Sequence, residues 1–509
     1  MQGYNVGDYP SRLFETILRR LSHPRVSLLS HRLFILCLLY FSFWALPGCM
    51  GTMSHYGQIE ASLRKGNPEQ ADHLLAAKEE AYGSTDRLLY LMERGMTLHL
   101  AGHYAESNTV LEEADHLVDE LYTRRLRNEA LSMFVNDTTR PFRGDPYEQV
   151  MVNVIKAMNY TLLGKLNESL VEARKIDHRL NVIGDQVEGS AYHDDPFARY
   201  LTGILYEATG DFNNAFIAYQ KAYQAYQDAR SWLHIPVPKG LQASLLRLTR
   251  KLHLNAEYAE YQRLFPDIVV EAMPSEGQAH VVVLGLFGRA PRLADQFLDV
   301  PISAQALGLV LQTKRVIGRN ESKARGVEPL LYGLQGQVIR VALPTLLPGE
   351  SQIAYGTLHV TGGEISSEYR TELVHNMTAT AQKNLDDRYP EVMVRTVARV
   401  AAKMATAEGI GIGAGAAAGG KDKDTGQTVR LIVSALARIF AIATEEADKR
   451  SWRTLPNYIQ EARLTLQPGD YVLRFEPRDH QGRLLGSVNE QHVSLLPGET
   501  YFLTTYSPF

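Results

Sequence analysis

The sequence predicts a multidomain protein in which an all-helical repeat region is followed by an α+β domain with antiparallel strands. Three patterns carry this expectation. Small and large residues alternate at fixed steps between residues 53 and 270, a β-branched apolar run spans 280–287, and the motif Leu-x-Pro-Gly recurs three times after it. A chain of 509 residues suits roughly three domains of ordinary size.

The composition is that of a protein folding in water. Hydrophobic residues make up 45% and charged residues 22% of the chain, which excludes a wholly disordered chain and a polytopic membrane protein. The 53 basic and 57 acidic residues give a net charge of −4. Neither half carries a long basic run, so we expect no nucleic-acid partner.

The N-terminus has the layout of a secretory signal. The uncharged apolar run 33–46 is too short to span a bilayer comfortably. It follows several arginines, as the apolar core of a signal peptide does. The next residues, Leu46-Pro47-Gly48-Cys49, resemble the bacterial lipobox, which implies cleavage after residue 48 and lipidation, for example with palmitate, of Cys49. Residues 1–48 are therefore predicted to be a signal peptide.

Cysteine usage agrees with a lipid anchor. The chain has two cysteines, Cys37 within the apolar run and Cys49 at the predicted cleavage site, so the mature protein would hold one lipidated cysteine and no disulfide. An uncleaved anchor helix is the alternative. Met50, rather than aspartate, follows Cys49, which resembles the signal for the outer membrane of Gram-negative cells. We expect a lipoprotein of the cell outer membrane that faces the periplasm.

The clearest helical repeat has residues at steps of 3, 4, 2, 3, 4 and 3. Its members are Gly203, Tyr206, Gly210, Phe212, Ala215, Tyr219 and Ala222. Two antiparallel helices approach closely only where glycine or alanine removes side-chain bulk, and a glycine such as Gly210 ends the first helix. The spacing resembles the tetratricopeptide repeat (TPR), and residues 210–223 resemble the second helix of that family.

Two further copies follow the same steps, and a weaker one surrounds Gly66. The first comprises Gly95, Leu98, Gly102, Tyr104, Ser107, Leu111 and Ala114, and the second Ala157, Tyr160, Gly164, Leu166, Ser169, Ala173 and Ile176. The helices of 241–264 are expected to cap the stack. TPR-like repeats expose a groove for an extended peptide or a partner helix. Candidate groove residues, each alternatively a core residue, are Tyr122, Arg124, Arg125, Tyr223 and Tyr226.

The C-terminal part, 278–509, is predicted to be β-rich. Seven strands are expected at 280–287, 337–343, 353–360, 462–466, 471–475, 492–496 and 501–505. The segments LLPGES (346–351), LQPGDY (466–471) and LLPGET (495–500) suit type II turns. We therefore expect an antiparallel, sandwich-like sheet arrangement.

A helical hairpin is predicted inside this β pattern, at about 366–450, with helices at 391–408 and 428–448. Its Gly-rich link, 409–420, allows three interpretations. A phosphate loop at Gly415 to Lys421 lacks the Ser or Thr after the lysine, where Asp422 stands. A glycine zipper would let backbones approach closely. We favour the third, an exposed loop between helices that pack on the sheet.

The segment 447–463 is dense in Arg, Trp and Tyr and suits a recognition surface. Its RSWRTLP motif at 450–456, with the lipobox, the repeats and the Pro-Gly turns, resembles an uncharacterised family of bacterial TPR-repeat lipoproteins with an RSWxTLP signature. The resemblance covers the mature chain, taken as 49–270 and 278–509. It implies an architecture and no activity.

No short motif for zinc, calcium, acyl transfer or nucleophilic cysteine chemistry occurs, so we expect no metal, no cofactor and no enzyme activity. The acidic stretch His193-Asp194-Asp195 is expected to cap the next helix. The predicted function is a lipid-anchored periplasmic scaffold that binds envelope proteins or peptides. The alternative is a cell-wall or polysaccharide hydrolase whose solenoid docks the substrate, with two carboxylates about 5 to 10 Å apart in a cleft.

Overall fold

The structure is a computed structural model that describes residues 56–128, 140–186, 194–268, 277–301, 338–363, 365–393, 395–396, 399–400, 427 and 446–509. The predicted signal peptide, Cys49, His193 and the Gly-rich link 409–420 lie outside these residues, as do the side chains of Arg124 and Arg125. Gly57–Phe509 form one compact unit.

Helices occupy the described chain before the first strand. They are α1 (Tyr56–Arg64), α2 (Pro68–Ala76), α3 (Glu79–Tyr82), α4 (Arg87–Leu100), α5 (Tyr104–Asn128), α6 (Pro146–Leu162), α7 (Leu166–Gln186), α8 (Pro196–Ala208), α9 (Phe212–Leu233), α10 (Lys239–Lys251) and α11 (Asn255–Leu264). Successive helices pack as hairpins, α4 on α5, α6 on α7, α8 on α9 and α10 on α11. This is the predicted TPR-like solenoid.

The predicted turn glycines end the first helix of their hairpins. Gly102, Gly164 and Gly210 have φ of 84°, 69° and 80°, the left-handed region that glycine enters without a Cβ penalty. After each glycine, the next N–H donates to the carbonyl five residues back, as Asp211 does to Tyr206 at 2.9 Å. This is the Schellman arrangement.

Two further turns have the same geometry. The weaker copy has Gly66 at φ 68°, and Asn67 N–H donates to the Ser62 carbonyl at 3.0 Å. In the α10–α11 hairpin His253, at φ 59°, replaces the glycine. The Schellman bond runs there from Leu254 N–H to the Thr249 carbonyl at 2.8 Å. The α10–α11 hairpin is therefore a repeat whose turn lacks its sequence signature.

Small residues permit the close approach of paired helices. A Cβ on Gly95 would overlap the Leu111 side chain, and one on Gly203 would overlap the Tyr219 ring. In the hairpin between them, Ala157 is fully buried, and its carbonyl accepts a hydrogen bond from Ser169 Oγ at 3.1 Å.

Most of the remaining described chain forms three sheets. The strands are β1 (Ala279–Phe287), β2 (Arg292–Pro301), β3 (Val338–Leu347), β4 (Tyr355–Gly362), β5 (Ile365–Arg370), β6 (Glu372–Asn376), β7 (Tyr458–Leu466), β8 (Gly469–Arg478), β9 (Asn489–Leu495) and β10 (Thr500–Ser507). One sheet has the order β10-β1-β7-β6, a second has β5-β4-β8-β9, and β2 pairs with β3. All pairs are antiparallel except β1 with β10.

The two four-stranded sheets enclose a sandwich core, as predicted. Val281 and Val283 of β1 point into it with Phe287, whose ring stacks 6.1 Å from Phe475. The alternate residues Val282 and Leu284 pack instead in the core shared with the helices. Because both faces of β1 are buried, its sequence is a continuous apolar run.

The Pro-Gly motifs were correctly placed between strands, but the strands that they join lie in different sheets. The motif at 466–471 links β7 of the first sheet to β8 of the second, and that at 495–500 links β9 back to β10. Gly498, at φ 71°, follows the predicted type II pattern, whereas Gly349 does not have a positive φ. A turn motif specifies a local chain reversal and does not determine which strands pair with each other.

The prediction of a helical insertion from about 366 is wrong at its start. Strands β5 and β6 lie within 365–376, and the helix that follows, α12, is described at 377–393, 395–396 and 399–400. Asn376 caps it by accepting the Ala379 N–H at 3.1 Å. Strand β5 was missed because it buries neither face fully, so it lacks the apolar alternation of a half-buried strand.

Candidate protein-binding face

The first helices of the hairpins face the rest of the chain. Nearly all of α6 from 147 to 159 and all of α8 from Pro196 to Leu205 is buried, although a surface helix of a globular protein buries one stripe. We call the surface formed by α4, α6, α8 and α10 the inner face. The C-terminal part of the chain lies on it.

The segment 447–457 crosses α4 and α6 without helix or strand. Trp452 N–H donates to Glu148 Oε1 at 2.6 Å. Arg453 N–H donates to Glu93 Oε1 at 2.8 Å, and Thr454 N–H donates to Glu93 Oε2 at 3.1 Å. Three consecutive peptide groups therefore each meet a carboxylate oxygen of the solenoid.

The side chains of the segment are held as firmly as its backbone. Trp452 is 1% exposed, and its Nε1 donates to Thr454 Oγ1 at 2.9 Å. The Arg450 guanidinium donates to Asp86 Oδ1 and to the Arg140 carbonyl, both at 2.8 Å. It also lies 5.6 Å from the centre of the Phe142 ring, within cation–π range.

Glu148 joins the segment to a helix cap. Its Oε2 accepts the Asp145 N–H at 2.6 Å, which completes a capping box at the start of α6. Burial, with the nearby Asp145 carboxylate, raises the pKa of Glu148 to about 8. The free energy of this contact therefore depends on pH.

Strand β7 makes the second contact, against α8 to α10. Tyr200 Oη donates to Glu461 Oε2 at 2.8 Å. Arg463 donates to Glu207 Oε2 at 2.9 Å and to Ser244 Oγ at 2.8 Å. Burial raises the pKa of Glu461 to about 8, against the effect of Arg463. Burial also disfavours the Glu207 carboxylate, but Arg247 and Arg463 lower its pKa well below the usual range.

Strand β6 completes this interface at two points. The Glu372 carboxylate accepts the N–H groups of Lys239 and Gly240 at 2.9 and 2.8 Å, at the start of α10. A carboxylate is favourable there because of the exposed N–H groups and the helix dipole. Tyr226 Oη donates to the Val374 carbonyl at 2.7 Å.

The candidate groove residues thus have different positions. Tyr226 is buried under β6, so it cannot line an open groove as predicted. Tyr223 packs edge-on against Tyr261 and Phe265. Tyr122 is 36% exposed. The expected open groove is occupied by the chain itself, which the sequence did not reveal because the occupying segment lies more than 300 residues from α4.

The repeat-packing residues lie in the hairpins. Ala215, Tyr219 and Ala222 are fully buried. The aromatic residues near the turns are partly buried, namely Tyr104, Tyr160, Tyr206 and Phe212. Asp195 accepts the Ala198 N–H at 2.9 Å and caps α8, which confirms that part of the predicted cap.

A partly buried ion-pair network between α5, α6 and α7 was not predicted from the sequence. Its charged members are Glu112, Asp115, Lys156, Glu172, Lys175 and Arg179. Lys156 Nζ, fully buried, lies 3.2 Å from Asp115 and 3.1 Å from Glu172. Burial would raise the pKa of Asp115, but Lys156 and Arg179 lower it to about 2. A lysine flanked by Ile155 and Ala157 on an apolar helix was the available signal.

The described residues include no cluster of three or more His, Cys, Asp or Glu side chains placed to hold a metal ion. Among the helices within the same described ranges, none has the length and apolarity needed to cross a membrane.

No protein-family model matches the chain, and no curated protein matches it. Among solved structures, it is similar to a Podosopora anserina chain described as "putative kinesin light chain nearly identical TPR-like repeats", and to a single-substitution variant of that protein. Each is 16% identical with a TM-score of 0.29, and the match covers 42% of this chain and 93% or 92% of the other. The TPR-like architecture of this chain rests on its own helix pairing and turns.

Proposed function

We propose that this chain is a lipid-anchored scaffold of the cell envelope that binds envelope proteins or peptides through the inner face of its solenoid. One observation carries the proposal. The inner face already holds a stretch of polypeptide that is neither helix nor strand, with the N–H groups of residues 452–454 on Glu93 and Glu148. Recognition of a short peptide segment is a recurrent mode of protein binding.

The chemistry of the face suits this role. Hydrogen bonds to peptide N–H groups are available from any sequence, so they give affinity, whereas pockets for particular side chains give specificity. The burial of Trp452 and the position of Arg450 beside Asp86 are two such side-chain sites.

The anchor and the compartment belong to the same proposal. They are supported by the signal-like N-terminus and by the lipobox-like residues that end at Cys49. Several acyl chains, at about 0.8 kcal/mol per buried CH₂, would hold the protein stably on a membrane. The proposed location is the outer membrane, on its periplasmic side.

A hydrolase is less well supported. It requires two carboxylates that face an open cleft. Within the described residues, Glu207, Glu372 and Glu461 lie near one another in the helix–sheet interface, but each is hydrogen-bonded to the chain itself.

The test is metabolic labelling with a palmitate analogue, comparing the parent with Cys49→Ser, followed by crosslinking and mass spectrometry of membranes. We expect the label to require Cys49 and the crosslinks to join inner-face residues to envelope proteins. Label retained by Cys49→Ser would overturn the anchor. Recovery of no partner above background would overturn the scaffold.

A further inference from the structure

The segment 448–454 contacts the solenoid more than it contacts the β part of the chain. Its described bonds reach Asp86, Glu93, Arg140 and Glu148 of the solenoid. Its one described bond to a strand runs from Lys449 Nζ to Asp295 Oδ2 of β2, at 2.5 Å. Bonds to strands resume beyond it, where the Leu455 carbonyl accepts Ala290 N–H at 3.0 Å and Asn457 N–H donates to the Phe287 carbonyl at 2.9 Å.

The sheet itself docks elsewhere. Residues Glu372, Glu461 and Arg463 bind α8 and α10, which belong to other hairpins than α4 and α6. Dissociation of the segment from α4 and α6 would therefore break only the segment's own contacts. The contacts of β6 and β7 with α8 and α10 would persist. Local opening of such a segment needs less free energy than global unfolding.

The site on α4 and α6 selects a definite chemistry. It presents carboxylates at Asp86 and Glu93, and the carboxyl group of Glu148, to a segment that carries two arginines and one tryptophan. Buried carboxylates favour N–H groups and cations and repel an acidic peptide. A buried tryptophan flanked by energetically smaller contacts is a typical binding hot spot.

We infer that residues 450–454 are a tethered occupant, and that the site on α4 and α6 also binds, in their place, a protein segment with a tryptophan between two arginines. This inference rests on the proposed function and specifies its partner. The tether gives the occupant an effective concentration in the millimolar range, so a free peptide binds the parent weakly and binds strongly once the occupant is weakened.

The experiment uses the full chain and a fluorescent synthetic peptide of residues 446–457. Trp452→Ala weakens the occupant, and Trp232→Ala, at a partly buried tryptophan of α9, is the matched control. We expect Trp452→Ala to bind the peptide at least about 10-fold more tightly than the parent, and Trp232→Ala to bind as the parent does. Adding Glu93→Ala to Trp452→Ala should abolish the gain, as should a peptide with both arginines changed to glutamate.

A folded Trp452→Ala protein that gains no affinity would overturn the inference, as would a gain that is insensitive to Glu93→Ala. Arg450→Glu is the second variant, since it opposes Asp86 and leaves the tryptophan in place. The same gain is expected from it. A peptide with a photocrosslinker at the tryptophan position, at millimolar concentration, should label α4 or α6 of the parent protein. Labelling of other elements would contradict the proposed position of the site.

The outcomes separate this inference from the proposed function. If envelope partners are recovered at the inner face but neither Trp452→Ala nor Arg450→Glu binds the peptide, the scaffold function stands and the tethered-occupant inference is wrong. If the variants bind the peptide but no envelope partner is recovered, the peptide site stands and the scaffold function is wrong.

Discussion

At the scale of single residues, one backbone position recurs with two different side chains. The hairpin turns at Gly102 and His253 share the left-handed φ and the Schellman bond, and both residues are exposed. A left-handed conformation costs a residue with a Cβ about 1 to 2 kcal/mol, partly offset by the greater freedom of glycine in the unfolded chain.

We therefore predict that His253→Gly stabilises the protein by about 1 kcal/mol and that Gly102→Ala destabilises it by a similar amount. The free energy of unfolding in urea measures both. A loss of stability in His253→Gly would show that the imidazole makes a contact worth more than the strain.

Buried carboxylates give a second residue-scale prediction. Because the pKa of Glu461 is raised to about 8, the folded protein keeps a proton that the unfolded protein has lost. This stability is complete below the ordinary pKa, near 4.5, and is lost as the pH rises through about 8. Buried His99 and half-buried His280, with pKa lowered to about 4, act in the opposite sense, but only below about 6.5.

Between pH 6.5 and 8 we expect the free energy of unfolding to fall with pH. Glu461→Gln, which keeps an acceptor for Tyr200, should remove up to about 1.4 kcal/mol per pH unit of that slope. Urea unfolding at several pH values tests this, and Glu80→Gln, at an exposed position, controls for the substitution. An unchanged slope in Glu461→Gln contradicts the prediction.

At the scale of elements, the sequence was most informative where structure is local. Gly95, Gly203 and the turn glycines were identified because hairpin packing needs small residues at fixed spacing. The sequence did not predict that β7 and β8 lie in different sheets, because a Pro-Gly motif specifies only the chain reversal. The contact between Trp452 and Glu148 could not be predicted either, since no sequence periodicity connects residues so far apart.

One carboxylate links two elements. Glu372, at the start of β6, supplies the acceptor that the first N–H groups of α10 lack within their own chain segment. We predict that Glu372→Ala lowers the free energy of unfolding by about 1 to 2 kcal/mol and that Glu372→Gln, which keeps one acceptor, lowers it less. Equal losses would mean that packing, rather than the hydrogen bonds, decides the effect.

At the scale of the whole molecule, helices and strands share one core. Val282 and Leu284 of β1 belong to the same apolar cluster as Tyr200 and Tyr226 of the solenoid. We predict that α8 and β7 lose hydrogen-exchange protection together as urea rises, in one transition. Separate transitions would show that the solenoid is stable without its sheet.

The position of β1 has a consequence for the order of folding. Its two neighbours, β7 and β10, begin at Tyr458 and Thr500, far along the chain from β1. Contacts between segments so distant in sequence form slowly, because a long loop must close first. Until they form, a run of valines and leucines is available for misassociation, so we expect β1 to be a segment that a holding chaperone binds.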